Sequence, residues 1–342
     1  MPILLPAIFR AAVTRVTSSS LPLPYFRKPL SSSFTSPNYR TMSSLTTFDH
    51  PEHRIPITLP QGLSQEQVLQ FHPFKSWLST LTTSLANQHA SPSHPFHKDP
   101  YKLHSITIQS FDLFGGSRVG FLKLQSDVRN SAGEWLPGAV FLRGPSVAML
   151  VILMPDDFDN PRYEEANFSP EDMDGFDEEK YVLLTVQPRI AAGSLEFVEL
   201  PAGMVDEEGN FRGAAAKEIE EELGMKISAD ELTCMSDLVP PAAGSKGEEV
   251  LPRGVFPSPG ACDEFIQIFT VTKLVPRETL DEWTGKLTGL RDHGEKITLK
   301  LIRMKDLWKE GARDGKTLAA VAQWEKLRRF GLLNHSHDYN KS

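Results

Sequence analysis

The order of apolar and polar residues predicts a helical segment in the first third of the chain, followed by strands through its middle. Residues 64–85 begin with Ser64, a good helix-capping residue, and repeat large apolar side chains at helical spacing, which predicts one helix or two short ones. Residues 104–114 and 119–128 have strand patterns on either side of a Gly-Gly pair, which predicts a hairpin. Residues 147–154 are apolar throughout, as expected of a strand buried on both faces.

Further strand patterns in the second half of the chain extend this sheet. Strands are predicted at residues 181–190, where Pro188 indicates a bulge or an end, and at residues 194–203. The remaining predicted elements are a Glu-rich helix within residues 203–225, strands at 264–275 and 297–304, and a closing helix at 317–333. Because helical and strand patterns are interleaved, we predict an α/β fold in which a mixed sheet lies between helices, an α/β/α sandwich.

Composition excludes several classes of partner. The 342 residues carry a formal net charge of −8, and the pI is about 5.7, which argues against a broad nucleic-acid-binding surface. Apolar stretches in the body of the chain are far shorter than the roughly 20 residues that span a membrane, so we predict a soluble protein without a membrane partner. The two cysteines, Cys234 and Cys262, cannot form a disulfide framework, which favours a reducing compartment.

The first 48 residues differ from the rest because they are basic, rich in Ser and Thr, and free of acidic residues. This composition is typical of a transit peptide, and residues 9–16 can form a basic amphipathic helix that favours the mitochondrion. The alternatives are a disordered tail, or a start at Met42 that leaves the product in the cytoplasm. The other predicted segments are an N-terminal helix-and-strand extension at 49–135, a main domain at 136–333 with an acidic, solvated loop at 155–180, and a tail at 334–342.

A cluster of glutamates in the predicted Glu-rich helix is the main candidate for chemistry. Glu218, Glu221 and Glu222 stand at i, i+3 and i+4 on one helix face, while Ile219 and Leu223 lie on another and can dock on the sheet. Like charges at this spacing repel, but converging carboxylates suit Mg²⁺ or Mn²⁺, which also bind phosphates. The pattern predicts a divalent-cation site, with a solvated acidic face as the alternative.

The segment that contains these glutamates resembles the Nudix box, G-x5-E-x7-R-E-U-x-E-E-x-G-U, in which U is a bulky aliphatic residue. The matching residues are Gly203, Glu218, Ile219, Glu221, Glu222, Gly224 and Met225. Two positions depart from the pattern: Gly209 stands at the first Glu, and Lys217 replaces the Arg and loses its bidentate pairing. Glu207 or Glu208 could substitute for the missing Glu.

This resemblance implies a Nudix fold with a mixed central sheet, preceded here by an N-terminal antiparallel extension. It also implies that Glu218, Glu221, Glu222 and the backbone carbonyl of Ala202 bind Mg²⁺, with Mn²⁺ as a substitute. Relatives pair their subunits through N-terminal strands, so the resemblance implies a homodimer.

Segments such as VELPAG and GLRDHGEKI resemble the ADP-sugar diphosphatase branch of the family, most closely its plant plastid members, over roughly residues 120–333. By this resemblance Arg189 contacts the substrate phosphates, and Pro240 and Pro241 belong to the substrate-binding region. Glu295, on a loop that is mobile in this branch, is expected to supply the base or a further metal ligand, and neighbouring Asp292 and His293 are alternatives.

The activity implied is Mg²⁺-dependent hydrolysis of ADP-ribose or ADP-glucose to AMP and a sugar phosphate. Glu221, Glu222 and Glu295 are the expected catalytic residues. Adenine is expected to stack on an aromatic ring, for which Phe121 and Trp135 are the candidates.

Two other functions remain open from sequence. Gly209 and Lys217 would suit a Nudix-fold sensor that binds ADP-ribose-like ligands without cleaving them, whereas the complete set of box carboxylates favours a hydrolase. A nucleoside triphosphate hydrolase or a diphosphate isomerase could use the same fold. Isomerase chemistry needs a cysteine and an acid, and Cys262 beside Asp263 and Glu264 is the candidate.

Overall fold

The computed structural model describes residues 45–157, 179–205, 209–240, 251–289 and 296–333. These residues belong to one compact unit, which contains two β-sheets with helices packed against them. Residues 1–44 of the predicted transit peptide, most of the acidic loop and the C-terminal tail fall outside the described residues, whereas residues 46–48 of that predicted segment lie in a strand. None of the helices in the described ranges combines the length and apolar character that a bilayer span requires.

The first sheet is built from the N-terminal part of the chain. Its elements are β1 (Thr46–Asp49), β2 (Pro56–Leu59), α1 (Gln65–Gln70), α2 (His72–Ala90), β3 (Lys102–Phe114), β4 (Arg118–Arg129), β5 (Trp135–Leu136) and β6 (Ala139–Leu142). The strand order is β1-β2-β3-β4-β5, with β6 also paired to β4. This sheet extends beyond the predicted end of the N-terminal extension at residue 135.

The predicted hairpin of β3 and β4 is confirmed, and so is the helix with its serine cap. The Ser64 side chain and that of Gln67 form a capping box at the start of α1. Phe74 and Leu78 of α2 are buried against the sheet. The expectation of a wholly antiparallel extension is wrong at one place, because β2 and β3 run parallel. The α1–α2 segment between them supplies the long crossover that a parallel pair requires.

The second sheet carries the candidate site. Its strands are β7 (Ser146–Pro155), β8 (Tyr181–Arg189), β9 (Ser194–Glu199), β10 (Ala202–Met204), β11 (Thr233–Cys234), β12 (Ile266–Val275), β13 (Leu287–Thr288) and β14 (Ile297–Arg303). The order is β11-β12-β7-β8-β14-β13, and β10 and β9 add to β7 and β8. Only β7 and β12 pair in parallel among these strands, so the predicted mixed sheet is confirmed.

Helices cover both faces of the second sheet. They are α3 (Phe211–Glu218), which continues as a π-helical turn (Ile219–Leu223), α4 (Met235–Leu238), α5 (Leu307–Glu310) and α6 (Gly315–Arg329). Alternate residues of β7 enter two separate cores: Val147 and Met149 face α3, whereas Leu150 and Ile152 face α6. Every residue of β7 is buried. The predicted α/β/α sandwich and its doubly buried strand are therefore confirmed.

The two sheets are joined directly before β7. The backbone N–H of Phe141, in β6, donates to the Ala261 carbonyl over 2.7 Å. Asp263 accepts the backbone N–H groups of Arg143 and Gly144 at 2.8 and 3.2 Å. Because these bonds lie between β6 and β7, they fix the point at which the chain enters the second sheet.

Candidate metal and substrate site

The Glu-rich helix is held in place at both ends and along one face. Asn210 caps its start, since its side-chain oxygen accepts the Gly213 N–H at 2.9 Å. Gly224 ends it with a φ of 68°, the left-handed conformation that glycine adopts without strain. Ile219 and Leu223 are fully buried in the core beneath. These contacts confirm the predicted docking face and fix the other face toward β10 at Ala202 and Gly203.

Glu222 lies under the start of β10. It is only 5% exposed, and its Oε2 accepts the backbone N–H of Ala202 at 3.1 Å. Gln187 Nε2 lies 3.5 Å from the other oxygen, at the long limit of a hydrogen bond. Burial, together with the nearby charge of Glu218, raises the pKa of Glu222 from its ordinary 4.5 to about 8.

Glu218 packs directly on Gly203. A methyl group built on Gly203 would lie 1.8 Å from Glu218 Oε1, so no side chain fits there while Glu218 keeps its position. Gly203 itself is in β10, with an ordinary strand φ, and pairs with Val147 of β7. The glycine is therefore required by close approach and not by backbone strain.

The other two glutamates of this helix each lie near a lysine. Glu221 is partly buried and lies 3.6 Å from Lys217, and Glu220 lies on the exposed side, 3.7 Å from Lys226. Residues Ile219–Leu223 form a π-helical turn, in which i→i+5 bonding adds nearly one residue per turn. Glu218 and Glu222 meet β10 at Gly203 and Ala202, whereas the role of Glu221 as a third metal ligand stays a prediction.

The described residues contain no group of three or more His, Cys, Asp or Glu side chains arranged to hold a metal ion. Two carboxylates do converge, and Mg²⁺ is commonly held by one or two carboxylates together with waters and substrate phosphates. Burial is the main cause of the raised pKa of Glu222, and the negative charge of Glu218 adds to it, a repulsion that a bound cation would offset. Glu218, Glu222 and the neighbouring Ala202 carbonyl therefore fit a divalent cation.

Arg189 lies beside these carboxylates. Its positive charge lowers the pKa of Glu222, which opposes the larger effect of burial. The strand register shifts between Gln187 and Arg189, which confirms the bulge predicted at Pro188. Arg189 Nε donates to Glu199 Oε1 at 2.5 Å, and 41% of the arginine side chain is exposed.

Sequence reasoning missed the buried partners of Arg189. Glu199 is 3% exposed and also contacts Lys316, which contacts Asp314 at the start of α6. Glu199 directly precedes the LPAG segment, and the two adjacent apolar residues before it break the apolar-polar alternation, so no local signal marked it as buried. Lys316 has no local signal, because its partner Glu199 is distant in sequence.

The other predicted site residues are dispersed or fall outside the described residues. Pro240 is exposed after α4. The undescribed candidates are Glu207, Glu208, Pro241, Asp292, His293 and Glu295. Phe121 packs among aromatic rings, 5.1 Å from Phe114 and 5.3 Å from Phe141 between ring centroids, whereas Trp135 is exposed in β5. Their role in adenine binding stays a prediction.

The residues considered for isomerase chemistry, Cys262, Asp263 and Glu264, lie where the two sheets join. Asp263 holds the chain between the two sheets, and Glu264 accepts the Ser146 hydroxyl at 2.8 Å. Burial raises the pKa of the Cys262 thiol, which disfavours the reactive thiolate. The geometry therefore favours a bracing role for these residues over acid/base chemistry.

Comparisons with known proteins identify similar chains. A family model described as the NUDIX domain matches residues 175–321. The protein named Nudix hydrolase 14, chloroplastic, of Arabidopsis thaliana is 32% identical over 296 residues, covering 85% of this chain and 83% of that protein. A solved structure titled as an ADP compounds hydrolase shares 14% identity, covers 68% of this chain and 97% of its own, and has a TM-score of 0.40. This last likeness is too weak to carry an argument.

The first prediction concerns Gly203. Gly203→Ala should displace the Glu218 carboxylate and weaken Mg²⁺ binding by roughly tenfold or more, the usual effect of disturbing a ligand's support. Isothermal titration with Mg²⁺ measures this. Gly260→Ala is the matched control, because a methyl group there meets nothing within 4 Å and its φ is not positive. Equal affinity in the two variants would contradict the site.

The second prediction concerns the metal-free protein. Glu222 keeps its proton up to about pH 8 when folded but loses it near pH 4.5 when unfolded, so its contribution to stability is lost progressively as pH rises through that window. The slope is at most about 1.4 kcal/mol per pH unit. The melting temperature of Glu222→Gln should therefore rise relative to that of the wild type as the pH increases from 5 to 8. Calorimetry in EDTA measures this difference. Glu221→Gln is the control, and a parallel gain in both would contradict the assignment.

Proposed function

Since the chain belongs to the Nudix hydrolase family, we propose that it hydrolyses the diphosphate bond of ADP-sugars, ADP-ribose or ADP-glucose, in an Mg²⁺-dependent reaction. The products are AMP and a sugar phosphate. The observation that carries the proposal is the convergence of Glu218 and Glu222 on β10 at Gly203 and Ala202, with Arg189 near Glu222. Two carboxylates and one arginine supply what a diphosphate site needs, namely cation ligands and a positive charge for the phosphates.

In this proposal each group has a separate task. Glu218, Glu222 and the Ala202 carbonyl hold Mg²⁺, for which Mn²⁺ can substitute, and Glu221 remains a candidate ligand at the edge. The chemistry that the bound cation supplies is neutralisation of phosphoryl charge and a more acidic water. Arg189 orients the diphosphate through its guanidinium. Glu295 accepts the proton of the attacking water as a new P–O bond forms and the anhydride P–O bond breaks.

Three lines of support favour a hydrolase over a ligand sensor. The Arabidopsis relative is named as a hydrolase. Lys217, one of the two departures from the box, is 71% exposed and pairs with Glu221, so it leaves Glu218 and Glu222 in place as cation ligands. Gly209, the other departure, has a φ of 68°, and a methyl group placed on it would meet no atom within 4 Å, so it shapes the loop without touching the carboxylates.

The third prediction tests the proposed reaction. Protein lacking residues 1–41 should convert ADP-ribose or ADP-glucose to AMP and sugar phosphate with Mg²⁺ and not with EDTA, and the ratio of kcat/KM values identifies the preferred substrate. Glu222→Gln should lower kcat by roughly 100-fold or more, because a cation ligand is lost.

Glu220→Gln is the matched control, since Glu220 lies on the exposed side of the same turn. Full activity in Glu222→Gln with an unchanged circular dichroism spectrum would contradict the metal assignment. Absence of turnover in the wild type, with ADP-ribose binding retained in calorimetry, would support the sensor instead.

The fourth prediction concerns location. The composition of residues 1–48 supports import into an organelle, and the basic segment at residues 9–16 favours the mitochondrion, whereas the relative is named as chloroplastic. A fluorescent protein fused after residue 48 should co-localise with a mitochondrial marker in cells that contain both organelles. Co-localisation with plastids would support import into an organelle but contradict a mitochondrial destination. Diffuse fluorescence would contradict both claims. Replacing Arg10 and Arg15 by Gln in the fusion is the control and should abolish import.

A further inference from the structure

A buried chain of charges connects the N-terminus of α6 to Arg189. Lys316 is 8% exposed, although lysine is among the residues least often buried. Its Nζ contacts Glu199 Oε2 directly and lies 3.1 Å from Asp314 Oδ1. Glu199 uses its second oxygen, Oε1, to accept Arg189 Nε at 2.5 Å. The order of contacts is therefore Asp314, Lys316, Glu199 and Arg189.

Within the part of the chain that the structure describes, Arg189 is held through one atom. Among the described residues its ion pair with Glu199 is made through Nε, and two fifths of the side chain is exposed. An arginine fixed at Nε keeps the direction of its planar guanidinium while its two terminal nitrogens remain able to bind a phosphate. The orientation of Arg189 thus depends on the position and charge of Glu199.

The charge of Glu199 needs a second cation. Glu199 is only 3% exposed, and a buried carboxylate is costly unless its charge is paired. Without Lys316, Arg189 would be the one cation left to pair with Glu199 among the described residues. The guanidinium of Arg189 would then be attracted more strongly to that carboxylate. With Lys316 present, the two cations and the carboxylates of Glu199 and Asp314 balance one another.

The Lys316 side chain is not needed to begin α6. Asp314 caps that helix alone, because its carboxylate accepts the backbone N–H groups of Lys316 and Thr317, both at 3.3 Å, and the Thr317 hydroxyl at 2.6 Å. The Lys316 ammonium touches the capping carboxylate at Asp314 Oδ1 and also reaches across to Glu199. Its side chain therefore connects the cap of α6 to the substrate side of the fold.

We propose that Lys316 is a positioning residue for substrate binding, which holds Glu199 so that Arg189 presents its terminal nitrogens to the diphosphate. This inference rests on the proposed hydrolysis of ADP-sugars. Lys316 acts through Glu199 and does not touch the substrate. Because it orients a group that binds the diphosphate before and during reaction, its loss affects KM more than kcat.

The fifth prediction follows from this role. In the full-length chain with Mg²⁺, Lys316→Met should raise KM for ADP-ribose roughly tenfold, about the value of one charge-assisted contact, while kcat changes less than about twofold. Lys316→Arg should recover most of the affinity, because it keeps the cation. Lys300→Met is the matched control: Lys300 also pairs with a carboxylate, Glu310, at 2.7 Å, on a neighbouring part of the same sheet. If Lys316→Met is not recovered in soluble form, Lys316→Gln replaces it.

Each outcome separates this inference from the proposed function. A wild type that hydrolyses ADP-ribose, with KM raised in Lys316→Met and restored in Lys316→Arg, supports both. A wild type that hydrolyses it, with unchanged KM in Lys316→Met or an equal rise in Lys300→Met, overturns the role of Lys316 alone. A wild type that binds ADP-ribose in calorimetry without turnover overturns the hydrolase, and weaker binding by Lys316→Met would still support the positioning role. A wild type that neither binds nor cleaves ADP-ribose overturns both.

Discussion

The candidate site depends on one contact, between the carboxylate of Glu222 and the backbone N–H of Ala202. A desolvated carboxylate beside a second one is unfavourable, and one hydrogen bond compensates only part of that cost. Apolar packing must therefore hold the helix in place, and Ile219 and Leu223 provide it from the opposite side. The core beneath the helix stabilises an arrangement of charges that would otherwise separate, as is common where proteins prepare a ligand site.

The features that could be predicted from sequence are those with a local cause. Strand and helix periods identified most elements, Ser64 and Gly224 marked helix ends, and Pro188 marked the bulge before Arg189. Each of these signals acts within a few residues of the backbone it shapes. The spacing of the Nudix box belongs to the same class, because one turn and one helix contain the whole pattern.

The features that could not be predicted arise from contacts between distant segments. The π-helical turn at Ile219–Leu223 depends on how the helix fits its sheet, since the local sequence is equally compatible with an α-helix. The pairing of Lys316 with Glu199 joins elements on different parts of the fold. Carboxylate and ammonium groups have many possible partners in a sequence, and only the packed structure selects among them.

The junction between the two sheets fixes the number of residues that connect β6 to β7. Asp263 binds the backbone just before β7, and β7 then pairs with β12 on one side and β10 on the other. Strand faces alternate every residue, so one inserted residue at this point would exchange the two cores of β7 and displace the partner of Gly203. Insertions in this linker between the two sheets should therefore be tolerated far less, in variants and relatives, than insertions in surface loops.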